Sequence, residues 1–216
     1  MSEHNLLPVF LRLEGRRCLV VGAGTVALQK IESLRSAGAE ITVVAPQAHA
    51  GVRALAQAGT LVWEERGFEA GDLDGVFVVI AATNSTEVNH AVYEEALRRN
   101  VLCNAVDDPP NCDFYFGSVV TRGDLQVAIS TAGKSPALAQ RLRREIDAQL
   151  PQDLGPWLSE LGALRREIRA AMPAGAERNL LLHELATRQL CSSPSCPARE
   201  FARERTAGVS ETEVRA

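Results

Sequence analysis

Along the chain, apolar positions come first as short unbroken runs and then at helical spacing. Cys18 to Val21 are strand-favouring, Gly22-Ala23-Gly24 interrupts them, and Val26, Ala27, Ile31 and Leu34 then recur at helical intervals up to Gly38. The pattern predicts strand, tight turn and helix, and Glu40 to Val44 supplies a second strand. Residues 49–58 predict a short Ala-rich helix closed by Gly59, followed by the apolar stretch Leu61-Val62-Trp63-Glu64. Gly75 to Ala82 is almost continuously apolar, as in a central strand of a parallel sheet covered on both faces. A helix to about Arg99 follows, opened by a capping box of Asn84 and Glu87, and Val101 to Asp107 is the next strand and its exit. Alternation of this kind predicts an α/β fold with an open doubly wound parallel sheet.

After Asp107 the pattern changes. Pro109 and Pro110 stop it, and residues 113–120 and 125–130 flank Thr121-Arg122-Gly123-Asp124 as a β-hairpin with a four-residue loop. Ser135 then caps a helix whose first residue is Pro136 and which runs to about Leu150. Two further helices are predicted at about 156–172 and 175–190. At the other end, Leu6-Leu7-Pro8-Val9-Phe10-Leu11 predicts an apolar lead-in packed on the sheet edge. From Ser192 the composition is poor in apolar residues and predicts a flexible tail.

Composition narrows the classes. With 216 residues and 46% hydrophobic content the chain can hold one sizeable domain and a smaller one. The net charge of −4 argues against a nucleic-acid binder. No apolar run spans a membrane and Met-Ser-Glu-His-Asn lacks signal-peptide character, so a cytoplasmic protein is expected, with no membrane partner. Of five cysteines, Cys18 and Cys103 fall in predicted buried strands, while Cys191 and Cys196 read as surface thiols rather than a zinc site.

Chemistry collects at the carboxyl ends of the predicted strands. Gly22-x-Gly24-x-x-Ala27 between a strand and a helix is a dinucleotide fingerprint: Gly22 for the turn, Gly24 for close approach of a pyrophosphate, Ala27 for helix packing. The acidic residue that usually ends the second strand is absent. There the chain reads Val43-Val-Ala-Pro-Gln47, which leaves the ribose to Gln47, to backbone or to nothing, and leaves NAD against NADP open. Ala82, Thr83 and Asn84 line the same edge. Asp107 is either a proton acceptor or metal ligand in the crevice, or an Asp capping the turn before two prolines. The four histidines are scattered, and His90 reads more simply as a solvated or packed residue than as a crevice residue.

The blocks Leu7-Pro-Val-Phe10, Val20-Val-Gly-Ala-Gly-Thr-Val-Ala27 with Lys30, Val43-Val-Ala-Pro46, Ile80-Ala-Ala-Thr-Asn84 with Asn89, Asn104-Ala-Val-Asp107, Cys112-Asp-Phe-Tyr-Phe-Gly117 and Ile129-Ser-Thr-Ala-Gly-Lys-Ser-Pro136 occur together and in order. In this the chain resembles the siroheme synthase family, specifically its precorrin-2 dehydrogenase/sirohydrochlorin ferrochelatase module, over about residues 5 to 150. The methyltransferase domain fused in some members is not expected.

The resemblance implies NAD-dependent oxidation of precorrin-2 to sirohydrochlorin, with ferrous iron insertion as a second activity of the same crevice. It places the residue credited with both steps, including transient metal contact, on Asp107. It implies cofactor contacts at Gly22, Gly24, Thr25, Val26, Pro46, Gln47, Ala82, Thr83 and Asn84. A substrate rimmed by carboxylates calls for cationic and amide donors, for which Lys134, the helix N-terminus at Ser135, Arg141 and Arg122 are candidates; the arginines also fit a solvated helix face. Thr131 stands where some members carry a phosphorylated serine. A homodimer exchanging the hairpin is implied.

The expected organisation is a Rossmann-like NAD-binding domain at 1–112, a hairpin and helix for dimerisation and substrate at 113–150, a small helical C-terminal domain at 151–191 and a tail at 192–216. The competing expectation is an NAD-sensing regulatory module without catalysis, which would tolerate loss of Asp107.

Overall fold

A computed structural model describes residues 6–187 and 196–213, with the side chains of 207–213 left aside. The chain divides into two compact units, Met1–Phe116 and Gly117–Ala216.

In the first unit, five strands form one parallel sheet: β1 (Arg17–Val21), β2 (Glu40–Val44), β3 (Val62–Glu64), β4 (Val78–Ala81) and β5 (Leu102–Ala105), in the order β3-β2-β1-β4-β5. The order reverses between β1 and β4, the switch point at which such sheets open a crevice. β4 is buried at every residue, which is why its sequence is uniformly apolar.

Helices α1 (Thr25–Ser36), α2 (Ala50–Gln57) and α3 (Thr86–Arg99) make the crossovers. α1 buries Ala27, Ile31 and Leu34, one stripe of its surface, with Val52 of α2 against one face of the sheet. α3 buries Asn89, Val92 and Ala96, the two apolar residues packing on the opposite face, and ends at Asn100 in the left-handed region, φ 56°. Cys18 and Cys103 are buried in the two cores, where burial pushes their thiols up to about 11 and about 12.

The second unit begins with the antiparallel hairpin of β6 (Ser118–Arg122) and β7 (Leu125–Ile129). Its ladder reaches Arg122 opposite Leu125, so the loop is two residues rather than the four expected, because Gly123 takes φ 58° and closes the chain tightly. α4 (Pro136–Gln149) is capped as predicted, the Ser135 hydroxyl accepting from the Leu138 amide at 3.2 Å. α5 (Leu154–Ala171), α6 (Ala176–Leu185) and α7 (Pro197–Glu213) share a core of Leu164, Ile168, Met172, Leu181, Leu185, Cys196, Ala198 and Ala202.

Three expectations are corrected. The tail predicted to be flexible is helical over Pro197–Glu213, because Ala198 and Ala202 are small enough to seat between α5 and α6 while Arg199 reaches Glu160 and Glu167 on α5. Residues 192–195 and 214–216 of that tail lie outside the described residues, as does Cys191. Cys196 is no surface thiol but is 2% exposed. The lead-in does not bury its apolar side chains: Leu7 and Phe10 are 81% and 67% exposed, and burial begins only at Leu13.

Candidate active site

Four strands of the sheet end level. Val21 is in register with Val44 and with Ala81, and Ala81 with Ala105. The backbone continues this lattice past the strand ends: the Gly22 amide donates to the Val44 carbonyl at 2.9 Å, the Ala82 amide to Val21 at 2.8 Å and the Val106 amide to Ala81 at 2.9 Å. The glycine turn, the Ala82-Thr83-Asn84 segment and the approach to Asp107 therefore share one edge. The loop after β2 joins them, since the His49 amide donates to the Ala23 carbonyl at 2.8 Å; Pro46 and Gln47 are exposed on that loop.

The two glycines do different work. Gly22 has φ 102°, and a Cβ there would lie 2.4 Å from the Ala82 carbonyl oxygen. Gly24 has an ordinary φ of −79°, and a Cβ there would meet nothing within 4 Å. Gly24 is also the N-cap of α1, without a side-chain cap and with no acidic residue in the first turn. Amides at a helix start with open space before them and no competing carboxylate suit a pyrophosphate. Thr25 and Val26 are exposed beside that opening. These residues fit a dinucleotide.

Thr83 is held by a residue to which the sequence reading assigns no role. Asn89, 7% exposed, accepts from the Thr83 amide at 3.1 Å and the Thr83 hydroxyl at 2.8 Å, and donates to the Thr83 carbonyl at 3.1 Å. The helix cap is Ser85, whose hydroxyl accepts from the Val88 amide at 3.2 Å, and not Asn84 as expected. The Thr83 hydroxyl, its proton given to Asn89, accepts from the Ser85 amide at 3.1 Å, a turn that carries Asn84 outward and leaves it exposed on the crevice edge. The sequence signal for Asn89 is a polar residue on the buried stripe of α3 with Val92 and Ala96. Asn89→Ala strands several buried polar groups at once and is expected to cost about 2–3 kcal/mol; an unchanged midpoint in urea unfolding would show that the Thr83 turn stands without it.

Asp107 sits in the left-handed region, φ 60°, a conformation Asp tolerates. Its loop is tied at both ends. The Asp113 carboxylate accepts from the Cys103 amide at 2.8 Å and the Asp113 amide donates to the Cys103 carbonyl at 2.8 Å. Asn104, 6% exposed, donates to the Phe114 carbonyl at 2.8 Å. The loop between these ties presents Asp107 to solvent, so the arrangement projects a carboxylate from a rigid base.

The substrate candidates all lie in the second unit and are described within it. Ser135 is committed to capping α4. Arg122 is used internally: it pairs with Asp147 at 2.7 Å and donates to the Asp147 carbonyl at 2.9 Å. Arg141 is exposed and meets Glu145 at 3.3 Å, and Lys134 is exposed just before α4. In the first unit, His90 is exposed beside Glu94.

Two family models cover most of this framework. "Putative NAD(P)-binding" matches residues 9–118, and "Sirohaem biosynthesis protein central" matches residues 122–149. Over residues 9–118 this chain belongs to the putative NAD(P)-binding family. Siroheme synthase 1 of Cronobacter sakazakii is 48% identical over 159 residues, 74% of this chain and 34% of that protein. Siroheme synthase of Photorhabdus laumondii is 41% identical over 172 residues, 80% of this chain and 37% of that protein. The chain thus spans about a third of the length of these curated relatives. A solved structure described as "SirC, precorrin-2 dehydrogenase" superposes with a TM-score of 0.76 at 27% identity, covering 94% of this chain and all of that one. The glycine turn and the Asp107 loop thus lie in the stretch matched as NAD(P)-binding, and Lys134, Ser135 and Arg141 in the stretch matched as sirohaem biosynthesis protein central.

Proposed function

We propose that this chain oxidises precorrin-2 to sirohydrochlorin with NAD as acceptor. The observation that carries the reading is the shared edge on which an open, uncapped helix start and the exposed Asp107 carboxylate come together. The likeness to a structure described as a precorrin-2 dehydrogenase supports the substrate. Gly22, Gly24, Thr25, Val26, Pro46, Gln47, Ala82, Thr83 and Asn84 hold the dinucleotide, the glycine turn and α1 amides taking its phosphates. Bound NAD supplies the hydride acceptor. Asp107 takes the proton that leaves the substrate carbon framework, so that one hydride and one proton depart together.

We assign residues 1–112 as the nucleotide-binding part, 113–150 as the dimerisation and substrate part, and 151–191 as a support that is helical over Leu154–Ala171 and Ala176–Leu185. Lys134, Arg141 and the amides after Ser135 bind the carboxylate rim of the tetrapyrrole, with Arg122 bracing the hairpin against α4. The exposed apolar side chains of the lead-in, with Val119 and Leu138, support a homodimer that covers them. Ferrous iron enters as a substrate, delivered past Asp107 in a second activity. Among the described residues no helix is long and apolar enough to cross a membrane, and we place the protein in the cytoplasm.

The test is turnover of precorrin-2 with NAD in the absence of metal. NADH and the sirohydrochlorin spectrum are expected to rise together, mole for mole. Nucleotide binding without turnover would sink the enzyme reading and leave the sensing module.

A further inference from the structure

The side chain of His49 has no part in the site as described so far, although its backbone belongs to the dinucleotide edge. The loop after β2 offers only two side chains that can hydrogen-bond, Gln47 and His49, because Ala45, Pro46 and Ala48 carry no side-chain donor or acceptor. His49 is the one tied to the glycine turn. Its amide donates to the Ala23 carbonyl at 2.8 Å, and its carbonyl accepts from the Val52 and Arg53 amides at 3.0 and 3.1 Å. Arg53 also donates to the Ala48 carbonyl at 2.6 Å, which stiffens the loop. The imidazole caps α2, its Nδ1 accepting from the Gly51 amide at 3.1 Å. A Cβ on Gly51 would lie 2.7 Å from Leu28 Cδ2 and 3.3 Å from His49 Nδ1, so the missing side chain lets the ring close up beside α1, one turn from Gly24.

The cap fixes the tautomer. A neutral ring that accepts at Nδ1 carries its proton on Nε2. His49 is exposed, and among the described residues Nε2–H has no hydrogen-bond partner. A donor is thus held just beyond the end of β2, where the adenosine ribose of a dinucleotide lies, and where this chain has Pro46 and Gln47 in place of the usual acid. An acid there accepts from ribose hydroxyls, whereas an imidazole N–H donates to a ribose oxygen.

We propose that His49 binds the adenosine ribose of NAD through Nε2–H, with Nδ1 spent on the α2 cap. The inference rests on the dinucleotide half of the reading above and not on the oxidation of precorrin-2.

Nucleotide titration, which needs no turnover, tests it. His49→Asn keeps a good N-cap, but its side chain has no donor as far from the backbone as Nε2. It is expected to leave the urea midpoint unchanged and to weaken NAD binding about 3- to 10-fold, the worth of one hydrogen bond. His49→Ala loses cap and donor together and should lower the midpoint as well. NAD lacking the 2′- or the 3′-hydroxyl of its adenosine ribose identifies the contact. For one of these two analogues, the loss of affinity seen in the natural protein is expected to shrink by about the same 3- to 10-fold in His49→Asn. Unchanged NAD affinity in His49→Asn would leave His49 a cap alone and overturn the proposal. A weakened affinity with both hydroxyl penalties intact would overturn it too, because the contact would then lie elsewhere on the nucleotide. A natural protein that binds no NAD would overturn the dinucleotide reading and the ribose contact with it. One that binds NAD without forming sirohydrochlorin would overturn only the oxidation, and the titrations would decide His49 as before.

Discussion

Asp107→Asn is expected to lower kcat for NADH formation by about 10²- to 10⁴-fold, the range over which a positioned proton acceptor contributes. Asparagine is the informative replacement. It keeps the size of the side chain and accepts the left-handed backbone of this position, φ 60°, as readily as aspartate does, so the loop should keep its shape. The ties that hold the loop, Asp113 to the Cys103 amide and Asn104 to the Phe114 carbonyl, are untouched by the change. NAD affinity should therefore stay within about twofold, since a single neutralised carboxylate removes no donor from the pyrophosphate site. Measuring kcat and nucleotide affinity on one preparation separates the outcomes. Full activity in the variant would return Asp107 to the role of a turn residue and favour regulation over catalysis.

Gly22→Ala and Gly24→Ala are expected to fail in different ways, although they stand two residues apart in one motif. At Gly22 the methyl group would lie 2.4 Å from the Ala82 carbonyl oxygen on a backbone with φ 102°. Left-handed strain and overpacking together should cost about 3–5 kcal/mol. That is a large share of the roughly 5–15 kcal/mol that stabilises a domain. At Gly24 the methyl group meets open space on an ordinary backbone, so stability should be unchanged. What it obstructs is the approach of phosphate to the α1 amides, and losing one such charge-assisted bond should weaken NAD binding about 10- to 100-fold. Urea unfolding and nucleotide titration of both variants check this. Equal losses of stability would show that the Gly24 space is needed by the fold and not by a ligand.

Much of the first unit could be read from the chain because its elements are local. The apolar run at β4, the Ala27-Ile31-Leu34 stripe of α1 and the strand-turn-helix around Gly22 each announce themselves within a dozen residues, and the alternation then leaves few topologies. What escaped depends on partners distant in sequence or on choices between equivalent residues. Asn84 and Ser85 are equally good caps on paper; the Thr83 hydroxyl, bonded to the Ser85 backbone, decides for Ser85. Arg122 looked available for substrate, yet Asp147 on α4 engages it. α7 looked like a tail because reading by apolar content undervalues Ala198 and Ala202, which bury well through being small. The lead-in erred the other way, since six consecutive residues dominated by apolar side chains promised a core contact that this chain alone does not provide.

The reversal of strand order between β1 and β4 also bears on when the site comes into being. Val21 and Ala81 are neighbours in the sheet, yet two α-helices, two strands and a short 3-10 turn intervene between them. Local pairs such as α1 against β1 can form early, while the contact of Gly22 with Ala82 must await closure of that whole loop. The crevice is therefore absent from partly folded chains, and a dinucleotide distinguishes the finished fold from everything before it. By mass action it then works as a folding ligand: free nucleotide at 100 times its Kd adds about 2.7 kcal/mol to the stability of the chain.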